Sequence, residues 1–512
     1  MEGKDEILLL QSPRAQLMNK SRLRASRAWF LAVLMFPVLI TQWASLFSFQ
    51  TGLLSLARIQ NIDQQKSEIE GPFNPFEDLT IQETTFRDWI QNPPRYSTHR
   101  CVQPSESFFA PFVSRTCLFS NLYFHYEKKT FHYFASPAES ATYTKEELKQ
   151  MFTTANGYMH TEALERAIYN RDDFSQNENV QFTPIVHHNE QLPSLKSIAT
   201  IKTPTNPVFT LYRPSYSFNY GHFLWDDAMG IFTMLDFFGY SGVGEIEEPE
   251  QQEKPQPIPV YLDQGEDPFY RCSRELRWDK CLKMLRKTMP KLMGIETDKT
   301  SNEGDILRAG NLFDSFFNLT ESITSQYVLL PKVISGPGRN SHFGCKGECT
   351  IHRTGRIYRF RQWLFQNIFG TEHGKRFHQL PAIPNKITVS LPIGNTHSPE
   401  ELQNFEEIVP ALKAKYGSRN VHAVDMAKLT IEEQAQLTAS SKVYLSNNGG
   451  GSATSFFLQK GSSVLLFHTD DMKRDIELYS TVGYLNVNWL PVTDSVDHVL
   501  KIVDRALAQP AD

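Results

Sequence analysis

The sequence predicts an α/β protein made of two α/β halves behind a single N-terminal membrane anchor. Three observations lead to this fold class. The chain has 512 residues, enough for more than one domain. Strand-length apolar runs alternate with helix-length segments in the second half, which is typical of a parallel sheet covered by helices. A long uncharged stretch lies near the N-terminus.

Residues 28–49, "AWFLAVLMFPVLITQWASLFSF", are predicted to be a transmembrane signal anchor. At 1.5 Å per residue they reach about the 30 Å thickness of the bilayer hydrocarbon. Several basic residues precede them and keep residues 1–27 in the cytoplasm as a tail. A cleaved signal peptide would have an apolar core of only about 7 to 15 residues. The sequence therefore predicts a single-pass type II protein of the Golgi or endoplasmic reticulum membrane.

The lumenal part is predicted to have three regions. Residues 50–95 are polar and interrupted by prolines, as expected of a stem. Residues 96–335 form an N-terminal domain, and residues 336–512 form a C-terminal domain with regular alternation of helices and strands. The predicted strands are 207–213, 257–263, 326–334, 386–392, 420–426, 442–447 and 462–468; the predicted helices are 275–294, 355–370, 398–417 and 430–441.

Charge and cysteine content limit the classes of binding partner and the cellular compartment that the sequence predicts. A net charge of -5 gives no global electrostatic support for a nucleic-acid partner. All six cysteines follow the anchor, and an even count in an oxidising compartment indicates disulfides. Of the fifteen possible pairings, pairing of sequence neighbours is preferred: Cys101 with Cys117, Cys272 with Cys281, and Cys345 with Cys349. Asn318 heads a lumenal glycosylation sequon.

A glycine-rich loop is the first candidate site. In "VYLSNNGGGSATSFF", residues 443–457, an apolar strand leads into three glycines and a small-residue helix start. Glycines let the backbone approach a ligand, and the N–H groups of a helix N-terminus suit phosphate. The loop lacks the Walker ending and the dinucleotide spacing. A tight turn needed only for packing remains the alternative. The candidate donor-binding residues here are Asn448, Gly449, Gly450, Gly451, Ser452 and Thr454.

"NYGHFLWDDAMGIF", residues 219–232, places polar groups at the start of an otherwise apolar helix. In an α-helix His222 and Asp226 share a face, while Asp227 points about 100° away from Asp226. A carboxylate within reach of an imidazole orients it and raises its basicity, as a general base requires. The alternative is a structural cap, because carboxylates favour a helix start. His222, Asp226 and Asp227 are the catalytic candidates.

Residues 336–361 are rich in arginine, and Arg339 and Arg361 are candidates for neutralising a diphosphate. A solvated, charged helix face is the alternative interpretation. His342, Cys345, Cys349 and His352 allow a zinc site on paper. Their spacing is unlike the common zinc modules, and an oxidising lumen favours disulfides. No metal site is predicted.

Taken in order, these segments resemble glycosyltransferase family 61. The family pattern of Asn-x-Gly-His followed by Asp corresponds to Asn219, Gly221, His222 and Asp226. Its Arg-x-Cys entry resembles "RTC" from Arg115. Its strand, acidic-Gln helix and glycine-rich loop resemble residues 424–467. The resemblance spans roughly residues 100–490.

The resemblance implies a GT-B architecture of two Rossmann-like domains. It implies inverting transfer from a nucleotide sugar, usually UDP-linked, to a glycan or glycoprotein hydroxyl, without a bound metal or another cofactor. His222, oriented by Asp226, is the expected base on the acceptor side.

Two departures from the family pattern support an alternative. The family's arginines are missing from "LPIGNTHSPEEL", and Asn448-Gly449-Gly450 replaces the usual His-Gly-Ala. The alternative is a lumenal binding or scaffold protein that kept the fold and lost transfer.

Overall fold

The structure is a computed structural model, and its described residues belong to one compact unit, residues 74–512. The predicted tail and anchor, residues 1–49, lie outside these residues. Among the described helices, none is both long enough and apolar enough to cross a bilayer. The structure describes residues 80–83, 95–102, 115–125, 127–128, 130–155, 181–202, 207–212, 219–243, 256–261, 284, 288–293, 307–308, 326–336, 353–392, 399–468, 479 and 482–509.

The N-terminal part of the chain forms a ten-stranded mixed sheet. Its main path runs β11-β10-β9-β12-β3-β4-β7, with β1, β2 and β8 paired beside it, while β5 and β6 form a separate pair. The strands are β1 (Thr80–Glu83), β2 (Thr98–Val102), β3 (Thr116–His125), β4 (Thr130–Phe134), β5 (Thr154–Ala155), β6 (Gln181–Phe182), β7 (Ile185–His187), β8 (Ile198–Lys202), β9 (Pro207–Tyr212), β10 (Gln256–Tyr261), β11 (Leu307–Arg308) and β12 (Tyr327–Ser335).

Strand β12 joins two kinds of pairing within this sheet. On one side it runs parallel to β8 and β9, and β9 continues in parallel to β10. On the other side β3 runs antiparallel along it, from Tyr327 opposite His125 to Ser335 opposite Cys117. The expectation of a Rossmann-like N-terminal half is therefore met only by the β9–β12 portion. Antiparallel neighbours such as β3 and β4 need no crossover helix, whereas β4 and β7, with two helices between them in the chain, are parallel again.

The predicted disulfide between Cys101 and Cys117 is confirmed. These residues lie opposite each other in the antiparallel pair β2–β3, with their Cα atoms 4.0 Å apart. The bond therefore ties β2 to the long strand next to β12. Cys272, Cys281, Cys345 and Cys349 lie outside the described residues, as does Asn318.

The C-terminal part forms a five-stranded sheet in the order β14-β13-β15-β16-β17, and every pair is parallel. The alternation read from the sequence is confirmed for this half. The strands are β13 (Ile383–Ser390), β14 (Val421–Val424), β15 (Ser441–Asn447), β16 (Ser463–His468) and β17 (Asn486–Pro491).

Helices cover both faces of the parallel sheet, and one group also joins it to the N-terminal part. The α-helices are α1 (Pro137–Thr142), α2 (Lys145–Phe152), α3 (Tyr220–His222), α4 (Met229–Phe237), α5 (Met289–Met293), α6 (Arg353–Phe369), α7 (Thr371–Gln379), α8 (Pro399–Tyr416), α9 (Ile431–Ala439) and α10 (Val496–Ala508). Short 3-10 helices span Leu195–Ser197, Met426–Lys428 and Gly450–Phe457. A π-helix, Phe223–Ala228, links α3 to α4.

The two faces of the parallel sheet have separate cores. Helices α8 and α10 pack on one face, around Phe405, Leu412 and Val499. On the other face, α9 and the helix Gly450–Phe457 share a core with α4 and α6. Helix α6 contacts both α4 and α9, so that core is continuous with the N-terminal part. This packing carries the start of α3 onto the glycine-rich loop. A GT-B pairing of two domains stays a prediction.

Candidate functional site

The strand order places a topological switch point between β13 and β15. From β13 the chain crosses to β14 on one side, and it then returns to β15 on the other side. In parallel α/β sheets, ligands bind at the carboxyl ends of the strands at such a point. Ser390 and Ser446 lie opposite each other near those ends, and Asn447 ends β15. The glycine-rich loop starts one residue later, at the switch point.

The glycines of this loop are required by its backbone and its packing. Gly449 has φ 131° and ψ -154°, a combination that side chains rarely adopt. A Cβ on Gly451 would lie only 2.9 Å from the hydroxyl of Ser390. Gly449 caps the 3-10 helix Gly450–Phe457, and its carbonyl accepts bonds from the backbone N–H and the hydroxyl of Ser452. The packing explanation of the glycines is therefore supported, whatever the loop binds.

Buried hydroxyl groups fix the backbone of the loop by hydrogen bonds. The Gly451 carbonyl accepts bonds from Tyr444 at 2.8 Å and from Thr454 at 2.9 Å. Burial raises the pKa of Tyr444 to about 12, although hydrogen bonds with Thr454, Ser390 and Ser446 oppose the shift. The hydroxyls of Ser452 and Thr454 thus bond the loop's own backbone. Donor binding by these two residues stays a prediction.

The histidine–aspartate motif forms one helical segment, residues 220–237, that is not α-helical throughout. Asn219 is its N-cap, and its side-chain oxygen accepts from the Gly221 N–H at 2.9 Å. The segment continues as the π-helix Phe223–Ala228. The geometry expected from an uninterrupted α-helix is therefore wrong. A π-helix bonds residues five apart, which brings Asp227 closer to the face of His222; single π turns are frequent at functional sites.

The structure distributes the catalytic candidates along this segment. His222 ends α3 and is half-buried, whereas Asp226 and Asp227 lie within the π-helix. Asp227 is 1% exposed. A buried carboxylate must be paired or hydrogen-bonded, and both His222 and Asp227 have interaction partners within the protein. Asp227 is therefore held within the fold, and its catalytic role stays a prediction.

The two motifs meet backbone to backbone. A Cβ on Gly221 would lie 3.5 Å from the Cα of Gly450, and a Cβ on Gly450 would lie 3.3 Å from the side-chain oxygen of Asn219. The N-terminus of the 220–237 segment therefore faces the N-terminus of the 3-10 helix. Each N-terminus carries partial positive charge, and its N–H groups lack partners within the helix. Together they form a site suited to an anion.

Three side chains of these two motifs have buried polar atoms without a hydrogen-bond partner in the described structure. They are Asn448, through both amide atoms, Tyr220, through its hydroxyl, and Trp225, through its indole N–H. Asn448 is 6% exposed, and the Trp225 ring packs edge-on against Phe456, with centroids 4.0 Å apart. An unsatisfied buried polar group costs about 1–3 kcal/mol. Such groups, gathered in two touching motifs, indicate a ligand site.

Of the two arginine candidates, the structure describes Arg361, which does not lie at this junction. Arg361 is fully buried, and its guanidinium donates to the Phe457 carbonyl and to His378. Phe457 ends the 3-10 helix, roughly 14 Å along its axis from Gly450 at about 2 Å per residue. Burial lowers the pKa of Arg361 to about 10, and burial followed by the nearby Arg361 charge lowers that of His378 to about 3. Donor binding by Arg361 has no support in this geometry, and Arg339 lies outside the described residues.

Sequence patterns could have identified part of what was missed. Arg361 lies on the apolar stripe of α6, since Ile357, Phe360 and Leu364 are buried. The roles of Ser390 and Tyr444 have no local signal, because both depend on the pairing of β13 with β15 and on the loop above it. Within the described part of the chain, no group of three or more His, Cys, Asp or Glu residues could hold a metal ion.

The fold and the junction define an α/β protein with a candidate anion site at the carboxyl ends of a parallel sheet. The sequence model of the Glycosyltransferase 61 family matches residues 220–465, from the first residue of α3 into β16. Over these residues the chain is similar to the glycosyltransferase 61 family, as the sequence motifs predicted, and this match supports glycosyltransferase activity. No curated protein matches the sequence.

Proposed function

We propose that the protein transfers a sugar, with inversion, from a nucleotide sugar to a hydroxyl of a glycan or glycoprotein. The family supports a nucleotide-sugar donor and a glycan acceptor. UDP is the proposed nucleotide, as the resemblance to the family suggests. The place of the reaction is the lumen of the Golgi or endoplasmic reticulum, behind the anchor at residues 28–49. No metal or other cofactor is part of the proposal.

The unpartnered amide of Asn448 carries this proposal. It lies beside Gly449, where two helix N-termini face each other. A nucleotide diphosphate supplies acceptors for the amide N–H₂ and for backbone N–H groups, and its negative charge is stabilised by both helix ends. Asn448 therefore gains its missing hydrogen bonds when the donor binds.

His222 is the proposed general base in a single displacement. A bond forms between the acceptor oxygen and the anomeric carbon of the donor, and the bond from that carbon to the diphosphate oxygen breaks. The acceptor proton passes to His222, and the diphosphate leaves with its negative charge facing the helix N-termini. Asp226 or Asp227 orients the imidazole and stabilises its charged form.

A binding or scaffold protein without transfer activity is the second candidate function. The inward-turned hydroxyls of Ser452 and Thr454 favour it, as does the lack of arginine in "LPIGNTHSPEEL". Such a protein would bind UDP weakly or not at all, and it would not use His222.

Asn448→Ala tests the donor site. The variant should bind UDP about tenfold or more weakly in calorimetric titration of the full chain, because it loses hydrogen bonds to a charged group. Its melting temperature without UDP should stay equal or rise, because the amide has no partner to lose. Asn420→Ala is the matched control: Asn420 donates to the Tyr416 carbonyl, so this variant should lose stability and keep UDP affinity. Unchanged UDP affinity in Asn448→Ala would remove Asn448 from the donor site.

His222→Ala tests transfer separately from donor binding. Turnover should fall by roughly 10² to 10⁴ fold, the usual contribution of general base catalysis, while UDP affinity stays unchanged. Full turnover by a folded His222→Ala protein would exclude His222 as the base. Absence of turnover in the wild type with intact UDP binding would favour the second candidate function.

A further inference from the structure

A second candidate site lies in the N-terminal sheet, away from the junction. A cavity of about 580 Å³ is bordered by the ends of β4, β7 and β12 and by residues 190–197. Tyr327, the first residue of β12, borders the cavity. Strand β9 runs parallel to β12, and the chain continues toward α3 from the opposite end, the carboxyl end of β9. β12 is nine residues long, or about 26 Å. The cavity is therefore at the opposite edge of the sheet from the proposed transfer site.

A chain of hydrogen-bonded side chains fixes one wall of this cavity. His187 is 2.6 Å from the Glu190 carboxylate, His132 is 2.7 Å from His187, and Thr130 is 2.8 Å from His132. Burial, followed by the neighbouring His187, lowers the pKa of His132 to about 4, so His132 is neutral at neutral pH. The carboxylate only accepts, so His187 donates to Glu190, while the directions of the other two bonds follow from the tautomers of the rings.

Ring stacking holds the same wall from behind. The His187 ring is parallel to the Phe134 ring, with centroids 4.1 Å apart, and Tyr327 packs edge-on against Phe134 and His132. His187 is 16% exposed and Glu190 is 55% exposed. Glu190 accepts from His187 through one oxygen, and an ionised carboxylate has further acceptor capacity. The wall is thus pre-organised and ends in an accessible acceptor.

The lining suits a neutral ligand with many hydroxyl groups. It combines the half-buried ring of Tyr327 with amides, hydroxyls and one charge of each sign, from Glu190 and Lys196, whereas the Phe134 ring is covered by His187. A sugar hydroxyl both donates and accepts, and amides and hydroxyls match both roles. The carbon–hydrogen face of a sugar ring packs on aromatic rings. A phosphate or another multiply charged anion would be repelled by Glu190.

We propose that this cavity binds one neutral sugar residue of a glycan, as a site separate from the one at which transfer occurs. The volume is within the range of small-ligand sites. The proposal does not depend on His222 or on the glycine-rich loop. It holds whether the protein transfers sugars or only binds glycans.

Saturation-transfer NMR on the full chain tests this proposal, with methyl glycosides of glucose, galactose, mannose, xylose and N-acetylglucosamine as probes. Spectra are recorded with and without saturating UDP. At least one glycoside should bind equally in both conditions. Its Kd should rise about tenfold or more in Glu190→Gln, which loses a charge-assisted acceptor but keeps the shape. Glu372→Gln, a change of an exposed glutamate on α7, is the matched control and should leave the Kd unchanged.

A second variant guards against indirect effects of Glu190 on His187. Gln326 lines the cavity and is exposed, and it bonds Ser197 through its backbone N–H, so Gln326→Ala should fold and also weaken binding. The proposal is overturned if no glycoside binds the wild type. It is equally overturned if neither variant weakens binding, or if UDP displaces the glycoside from its site.

Discussion

Replacing Gly450 by alanine places a methyl group against the side chain that caps the facing helical segment. The new Cβ would lie 3.3 Å from the Asn219 side-chain oxygen, 3.7 Å from the Gly221 nitrogen and 3.9 Å from the Tyr220 Cβ. The first distance is tighter than an ordinary contact, so the amide must move by a few tenths of an ångström. That amide oxygen is also the acceptor for the Gly221 N–H at 2.9 Å.

The expected loss in the free energy of unfolding follows from the disturbed N-cap, Asn219. A side-chain N-cap contributes about 1 kcal/mol, and crowding a packed site costs about 1–3 kcal/mol. Replacing glycine by alanine where the backbone has a conformation open to alanine stabilises by about 0.4–1 kcal/mol through the unfolded chain, which offsets part of the loss. Gly450→Ala should therefore lower the free energy of unfolding by about 1 kcal/mol.

A double-mutant cycle identifies the contact responsible. Asn219→Gly removes the crowded amide, and glycine is itself an acceptable N-cap at a cost of only a few tenths of a kcal/mol. In that background Gly450→Ala should become neutral or stabilising. Urea unfolding of the wild type, both single variants and the double variant should thus give an interaction energy of about 1–2 kcal/mol.

Gly355→Ala is the matched control for this cycle. Gly355 lies in α6 with nothing within 4 Å of an added Cβ, so alanine should stabilise by about 0.5–1 kcal/mol. If the effects of Gly450→Ala and Asn219→Gly on the free energy of unfolding were additive within about 0.5 kcal/mol, the contact inferred at the Gly221–Gly450 junction would be refuted.

Two further predictions concern the buried pair of Arg361 and His378. Arg361→Met should destabilise the protein by about 3 kcal/mol in urea unfolding, because it leaves the Phe457 carbonyl and His378 without their donor. The folded fraction of this variant should keep its UDP affinity. A specific loss of UDP affinity would restore Arg361 as a donor-site candidate. The pKa of His378 is about 3 in the folded protein and about 6.5 in the unfolded chain. The contribution of the neutral His378 to the free energy of unfolding is therefore present above pH 6.5, and it is lost as the pH falls toward 3. His378→Gln should remove about 2 kcal/mol of the loss between pH 6.5 and 5, and an identical pH dependence in both proteins would contradict the burial of a neutral imidazole.

Local patterns predicted the elements of the parallel half well. A capping box of Thr430 and Glu433 starts α9, where the predicted helix 430–441 begins, and Gly417 follows the end of α8 in a left-handed conformation. These signals act within a few residues, so one sequence carries them completely. Even so, the α-helix predicted after Gly221 contains the π-helix Phe223–Ala228, which no pattern of apolar residues indicated.

The disulfide shows how far local reasoning extends. Cys101 and Cys117 were paired because they are neighbours in the sequence, and the structure pairs them across β2 and β3. The preference for near neighbours was sufficient here. It contained no information about the antiparallel strands that place the two residues opposite each other.

The sequence by itself determined the elements of the C-terminal sheet and the two motifs, because periodicity, caps and glycine conformation are local properties. Only the tertiary structure decided that Gly221 touches Gly450, that Arg361 supports the far end of a 3-10 helix, and that His132 and His187 join in one chain. Each of these contacts joins residues from distant parts of the sequence. Their formation depends on which apolar faces pack together, and an apolar face specifies that it must be buried but not which partner buries it.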